Sequence, residues 1–387
     1  MDRGGRHELV ALARLFGRLS LTAFGGPAAH IALMHEEVVR KRGWLDDGEF
    51  LDLVGASNVV PGPTSTEVAM HTGRRRAGGL GLVLAGLAFI VPAAVVMGVL
   101  GWLYRRYGTT PAAGDFLYGV KPVVVVVVAR AVFILGRTAV KSKPLAAIGA
   151  GALGAYLLGV TEPVVLFAVT ALCGVVAAAA ASERTRRRPR RPRRLPAIVL
   201  AGPPLVTVGA PGLDRLGEVF LVFLKVGALL FGSGYVLFAF LQRDLVEVRH
   251  WLTESQLLDA IAAGQFTPGP VFTTATFIGY LLGGAAGAVV ATVGIFLPAF
   301  VFVAAAGPVV TRLRRSPATS AALDGLNVAA VAVMAGVTIR LSQEAVVDAG
   351  AVAIAVVAAG LAWRRKGNSA WLIAAGGVAG TAIRALT

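Results

Sequence analysis

The sequence predicts an all-α polytopic membrane protein made of two homologous halves in an inverted repeat, each with about five transmembrane helices and one re-entrant helical hairpin. Three observations predict it. Of 387 residues, 56% are hydrophobic and 15% charged, whereas a soluble domain carries about a quarter charged. Displaced by 207 residues, the chain matches itself: Phe24-Gly25 falls on Phe231-Gly232, Glu37 on Asp244, Arg42 on Arg249, Trp44 on Trp251 and Asp52 on Asp259. The triplet Pro-Gly-Pro stands at the same place in each copy, 61–63 and 268–270. Past the triplets the displacement becomes 206, with Gly119 on Gly325. The repeats are residues 8–181 and 214–387, joined by 182–213.

In chain order, residues 9–40 form a long segment broken at Gly25-Gly26-Pro27. Trp44 is an interface anchor, and Leu45-Asp46-Asp47 can cap the next helix. Phe50–Val60 enters the first triplet and Thr64–Thr72 leaves it. Neither piece reaches the ~20 apolar residues that a span needs, so together they suit a re-entrant hairpin. If each hairpin crosses instead, the halves become parallel. Candidate spans follow at 78–104, 115–137, 144–160 and 163–181. The second half repeats the plan, with a long segment at 214–242, a hairpin at 253–280 and spans at 284–311, 319–341, 345–363 and 369–386.

The Arg- and Pro-rich linker is solvated and flexible, and marks the cytoplasmic face. Residues 197–211 are too short and too rich in proline to cross. With the linker inside, corresponding helices run in opposite directions in the two halves. The net charge of +16 therefore reads as topology, and nucleic acid is not an expected partner. The single cysteine, Cys173, excludes a disulfide within the chain.

The triplets carry the chemistry. Pro61 and Pro63, like Pro268 and Pro270, stop one helix and start another. Each start leaves free N–H groups at the positive end of a helix dipole, which attracts anions. These are Gly62, Thr64 and Ser65 in the first copy and Gly269, Val271 and Phe272 in the second. Thr66 and Thr273 add hydroxyls, and Asn58 and Gln265 stand three residues ahead of each triplet. Paired breaks at membrane depth are the best sequence pointer to a transporter's binding site. The plainer alternative is a kink that serves packing alone.

Lys225 lies among apolar residues, and the displacement puts Arg18 in its place. An intramembrane cation is costly, so it faces a cavity or a partner. Two symmetric cations suit a dianion, whereas a pair between Lys225 and Glu218 would be structural. Glu67 and His71 sit four apart on one helical face and are candidates for proton coupling. A structural hydrogen-bonded pair is the alternative. His30, His35, Glu36 and Glu37 cluster beside a charged loop, but no metal, cofactor or catalytic residue is expected.

Phe24-Gly25-Gly26-Pro27, Glu37, Arg42, Trp44, Phe50, the first triplet and the turn through Gly73 to Gly78 resemble the chromate ion transporter family. Phe231-Gly232-Ser233-Gly234, Trp251, Gln265 and the second triplet resemble the same unit again. The resemblance covers nearly the whole chain outside the linker and residues 197–211. It implies a long-chain, two-domain member that exports chromate from the bacterial cytoplasm across the inner membrane, driven by the electrochemical gradient. The expected site adds Gly25 and Gly26 and their counterparts Gly232 and Ser233, with Pro27 as a structural helix break. Asn58 departs from the glutamine usual before the first triplet, and Arg74 stands where an aromatic is common, so chromate and sulfate both remain candidate substrates. The lipid bilayer is the other expected partner, with a homodimer as an option. An oxyanion channel and a membrane-embedded enzyme are the competing classes.

Overall fold

A computed structural model describes residues 3–24, 26–57, 61–186, 214–230, 236–305, 317–364 and 369–386. The described residues are helical, joined by short turns. The first half holds α1 (Arg3–Thr22), α2 (Gly26–His35) running into a π-helical turn (Glu36–Lys41), α3 (Asp47–Ser57), α4 (Thr64–Tyr107), α5 (Pro111–Ala139), α6 (Lys143–Leu157) and α7 (Glu162–Arg186). The second holds α8 (Arg215–Leu229), α9 (Leu237–Leu241) with its own π turn (Gln242–Val248), α10 (Glu254–Phe266), α11 (Thr274–Ala305), α12 (Pro317–Ala345), α13 (Ala349–Arg364) and α14 (Ser369–Leu386). The expected spans fall on helices where they are described; residues 306–311 of the span expected at 284–311 lie outside the described residues. Five described helices are long and apolar enough to cross a membrane: Thr64–Tyr107, Pro111–Ala139, Val271–Ala305, Ser320–Ala345 and Ser369–Leu386.

Two of these long helices are folded back on themselves. Non-helical backbone at Ala77 and Gly78 divides α4, and the same break at Gly283 and Gly284 divides α11. Gly73 then lies against the Gly81 carbonyl and Gly279 against the Gly287 carbonyl. Without side chains at these crossings the two legs of each hairpin touch backbone to backbone, as small residues allow in membrane helix pairs. The legs leaving the triplets, 64–76 and 274–282, thus turn directly into long helices. The α4 and α11 hairpins pack on one another, with α1 against α4 and α8 against α11. Leu12, Leu15, Phe16 and Phe89 form the apolar face of α1 on α4.

The outer helices are traded between halves. α5 packs on α13 and α14, while its counterpart α12 packs on α6 and α7. Gly119 of α5 sits on Gly376 and Gly380 of α14, and Gly325 of α12 sits on Val169 and Cys173 of α7. Such reciprocity, in which i meets j and j meets i, is the mark of a two-fold relation.

Matched capping completes the repeat. Trp44 N–H donates to the Val38 carbonyl at 2.9 Å and Trp251 N–H to the Leu245 carbonyl at 2.7 Å. The guanidiniums of Arg42 and Arg249 lie over the rings of Trp44 and Trp251. Arg74, matched by Leu281 in the second half, donates to the Val303 and Ala304 carbonyls at 2.6 and 3.0 Å. There it satisfies carbonyls that the last turn of α11 leaves open.

Candidate functional site

Both triplets lie on the seam between the halves. Gly62 N–H donates to the Leu230 carbonyl at 2.8 Å, and Gly269 N–H donates to the Ala23 carbonyl at 3.0 Å. Ala23 and Leu230 are themselves equivalent by the 207 displacement. Each tip is thus tied to the end of the first helix of the other half. The same reciprocity holds for side chains: Gly62 faces Ala299, just past Pro298, and Gly269 faces Ala93, just past Pro92. Both glycines have positive φ, 144° and 92°, a conformation that disfavours any side chain. These bonds correct one expectation. The amides of Gly62 and Gly269 are not free for an anion, because a carbonyl across the seam already occupies each.

The remaining donors differ between the tips. In the second, Val271, Phe272 and Thr273 are buried; the hydroxyls of Thr273 and Thr274 donate to the Pro270 and Val271 carbonyls at 2.7 and 2.8 Å. In the first, Thr64, Ser65 and Thr66 are buried, and Thr66 Oγ1 has no hydrogen-bond partner among the described residues. A hydroxyl buried without a partner is costly, so the first tip alone keeps an unmet hydroxyl demand among the described residues. Gln265 is buried one turn before its triplet. Gly26 opens α2 with positive φ, and Pro27 follows it. Gly25, Asn58, Gly232, Ser233 and linker residues 187–213 lie outside the described residues, while residues 182–186, expected in the flexible linker, form the last turns of α7.

His30 joins the two tips. Its Nε2 donates to the Ala23 carbonyl at 3.0 Å, the same carbonyl that accepts from Gly269. Its Nδ1 lies 3.4 Å from Ser65 Oγ, which then acts as the donor. The chain Gly269–Ala23–His30–Ser65 therefore runs from one triplet to the other. Sequence reasoning weighed His30 only as a metal ligand.

The two expected cations are both ion-paired. Arg18 lies 2.6 Å from Glu37, and Lys225 lies 2.7 Å from Asp244. The pairs are equivalent by the repeat, and both carboxylates are buried within the π turns. Glu218, the alternative partner for Lys225, is replaced by Asp244. Lys41 and Arg42 also bond Glu37. Burial by itself would raise the Glu37 carboxyl, but hydrogen bonds from Lys41 and Arg42 and the charges of Arg18 and Arg42 hold it down to about 2. Both members of each pair keep their sign across the displacement.

Glu67 is wholly buried, and neither carboxylate oxygen has a partner among the described residues. His71 Nε2 also has none. The two are therefore not the hydrogen-bonded pair that their spacing allowed. A further polar group escaped the sequence reading. Tyr104 Oη donates to Asp259 at 2.7 Å, and Lys121 donates to Ser255 at 2.6 Å while lying 3.7 Å from Asp259. It links α4 and α5 to α10, again across the halves. A surface groove lined by Val132, Phe133, Gly136, Arg137, Val140 and Val331 includes none of the tip residues.

Comparison with known proteins agrees with this two-unit geometry. A family model described as chromate transporter matches residues 10–177 and again 217–381. A chromate transport protein of Cupriavidus metallidurans is 31% identical, over 96% of this chain and 92% of that one. One from Pseudomonas aeruginosa is 33% identical over 94% and 90%. A probable chromate transport protein of Synechococcus elongatus is 29% identical over 92% and 91%. No solved structure matches the chain.

Proposed function

Because the chain belongs to the chromate transporter family, we propose that it is a secondary active transporter that exports chromate across the bacterial plasma membrane. The oxyanion sits between the helix starts that follow the two triplets, with the amides of Ser65 and Thr66 from one and of Val271 and Phe272 from the other, each backed by the positive end of a helix dipole. Gly62 and Gly269 act there as latches rather than donors. Arg18 and Lys225 add positive potential near the site, and their pairs with Glu37 and Asp244 open and close as the halves move. The axis relating the halves lies in the membrane plane, so the triplets enter as re-entrant tips from opposite sides. Sulfate, a tetrahedral dianion of similar size, competes.

The observation that carries this reading is the hydrogen-bonded chain from Gly269 through Ala23 and His30 to Ser65. It puts both helix starts on one buried seam, as a shared anion site requires. Outward movement of a dianion is favoured by an inside-negative potential, by about 2.3 kcal/mol per charge per 100 mV.

The test is uptake of labelled chromate into inside-out vesicles, with sulfate as competitor and the electrical and proton gradients collapsed separately. Saturable uptake that sulfate inhibits, and that falls when the potential is collapsed, is the expected result. Uptake that does not saturate, accompanied by unitary currents, would identify a channel. Chemical conversion of the anion without net movement would identify an enzyme.

A further inference from the structure

The first tip holds an acid that the second lacks. Glu67 stands where the second half has Thr274, and Thr274 is locally satisfied while Glu67 is not. Glu67 lies in the first turn of the leg 64–76, and its Oε1 is folded back against Gly62, which faces Ala299 of the other half. Its carboxyl therefore sits at the helix start where the proposed oxyanion binds. It is wholly buried, as is the neighbouring unpartnered hydroxyl of Thr66. A charge without a partner is not stable in such a place, and a second negative charge beside it is worse.

The ionisable groups facing this region are few. On the same leg are His71, one turn on, and Arg74, whose guanidinium is engaged by the Val303 and Ala304 carbonyls. From α2 comes His30, held by Ala23 and Ser65. From α11 come Ala299 and Phe300, which meet Gly62 and Gly86 and carry no charge. No described cation reaches Glu67 within ion-pair distance. A bound dianion thus has no neutralising partner for an ionised Glu67.

We propose that the oxyanion-loaded protein carries a proton on Glu67, taken from solvent onto a carboxylate oxygen, so that anion occupancy and protonation at this tip are linked. The proposal rests on the oxyanion reading above and adds the group that makes binding depend on pH. Linkage is reciprocal: if the proton favours the anion, the anion favours the proton by the same factor.

The experiment is infrared difference spectroscopy of the purified full-length protein with and without chromate, paired with equilibrium chromate binding, on wild type and Glu67→Gln. In loaded wild type a protonated carboxylic acid carbonyl band is expected, and it is missing from Glu67→Gln. Above the pH at which the empty protein loses this band, chromate addition should restore it. There wild-type affinity should fall about tenfold per pH unit, while Glu67→Gln, which mimics the neutral acid, binds with little pH dependence. A loaded wild type without the band overturns the proposal. So does a Glu67→Gln variant with the wild-type pH profile, or transfer of that profile to a His71→Gln variant. If Glu67→Gln does not fold, the chromate-induced band in wild type decides by its presence or absence. Wild type that binds no chromate at any pH overturns the oxyanion reading itself, an outcome distinct from normal binding with an ionised Glu67.

Discussion

Gly62 and Leu230 are joined by a backbone hydrogen bond of 2.8 Å that crosses from one half of the chain to the other, and Gly269 and Ala23 repeat it at 3.0 Å. A Cβ at Gly62 would strike the Glu67 carboxylate and press on Ala299 at 3.2 Å; one at Gly269 would meet Ala93 at 2.6 Å and the Ser20 carbonyl at 2.9 Å. Added to a positive φ, this predicts that Gly62→Ala and Gly269→Ala each destabilise by about 1–3 kcal/mol. Chromate export should be lost while the protein still reaches the membrane. Chromate resistance and membrane-fraction immunoblots of cells expressing each variant check this; full resistance in either would remove the latch from the mechanism.

His30→Leu copies the second half, where Leu237 takes the equivalent position. It removes both links of the imidazole, to Ala23 and to Ser65. Loss of buried hydrogen bonds of this kind costs on the order of 1–3 kcal/mol. The expected result is at least a tenfold fall in vesicle transport rate, partly recovered in His30→Gln. Wild-type rates in His30→Leu would show that the tips work without this bridge.

Lys225 and Asp244 should behave as a unit. Removing one member of a fully buried pair costs about 3–5 kcal/mol; Lys225 is partly exposed, so the effect here falls below that range. Asp244→Asn relieves the buried charge and is the milder change, whereas Lys225→Ala strands a buried carboxylate. A double-mutant cycle read by thermal stability in detergent should give a coupling energy of about 1–2 kcal/mol. Additive effects would mean that the pair contributes nothing to the resting state.

Glu37 predicts a pH signature. Its carboxyl is lowered from 4.5 to about 2 in the folded protein. A lowered acid stabilises the fold above its unfolded value, and this contribution is lost as pH falls through the folded one. The stability difference between wild type and Glu37→Gln should thus be constant from about pH 5 to 8, and shrink below 4.5 toward about 2. Melting midpoints of the two proteins across pH check it. A difference that changes between pH 6 and 8 would assign the titration elsewhere.

The helix boundaries and the repeat were legible because they rest on local signals: apolar length, proline and glycine breaks, and matched rare residues such as Trp44 and Trp251. The charges Arg18, Glu37, Lys225 and Asp244 were all noticed, but joining them needed the fold, since the partners lie 19 positions apart on different helices. The amides of Gly62 and Gly269 looked free because the carbonyl that takes each comes from the other half, some 170–250 residues away. No periodicity encodes such a partner. His30 was hidden for the same reason, its role being set by two groups that only the seam brings together.

The traded outer helices predict that the covalent linker is dispensable. Residues 1–186 and 214–387, expressed as separate chains in one cell, should copurify and restore chromate export, whereas either alone should be degraded. α5 without α13 and α14 would expose the surface on which Gly119 meets Gly376 and Gly380. Stable accumulation of one piece alone would argue against the exchange.

A unit that lends its final helices to its twin is unfinished alone. A chain of half this length with the same exchange would need a second copy to cover α5 or α12, and joining the two in one chain fixes which copy meets which. Once fused, the copies no longer had to be identical. Here one tip holds Glu67 and its twin Thr274, an asymmetry closed to any pair of identical chains.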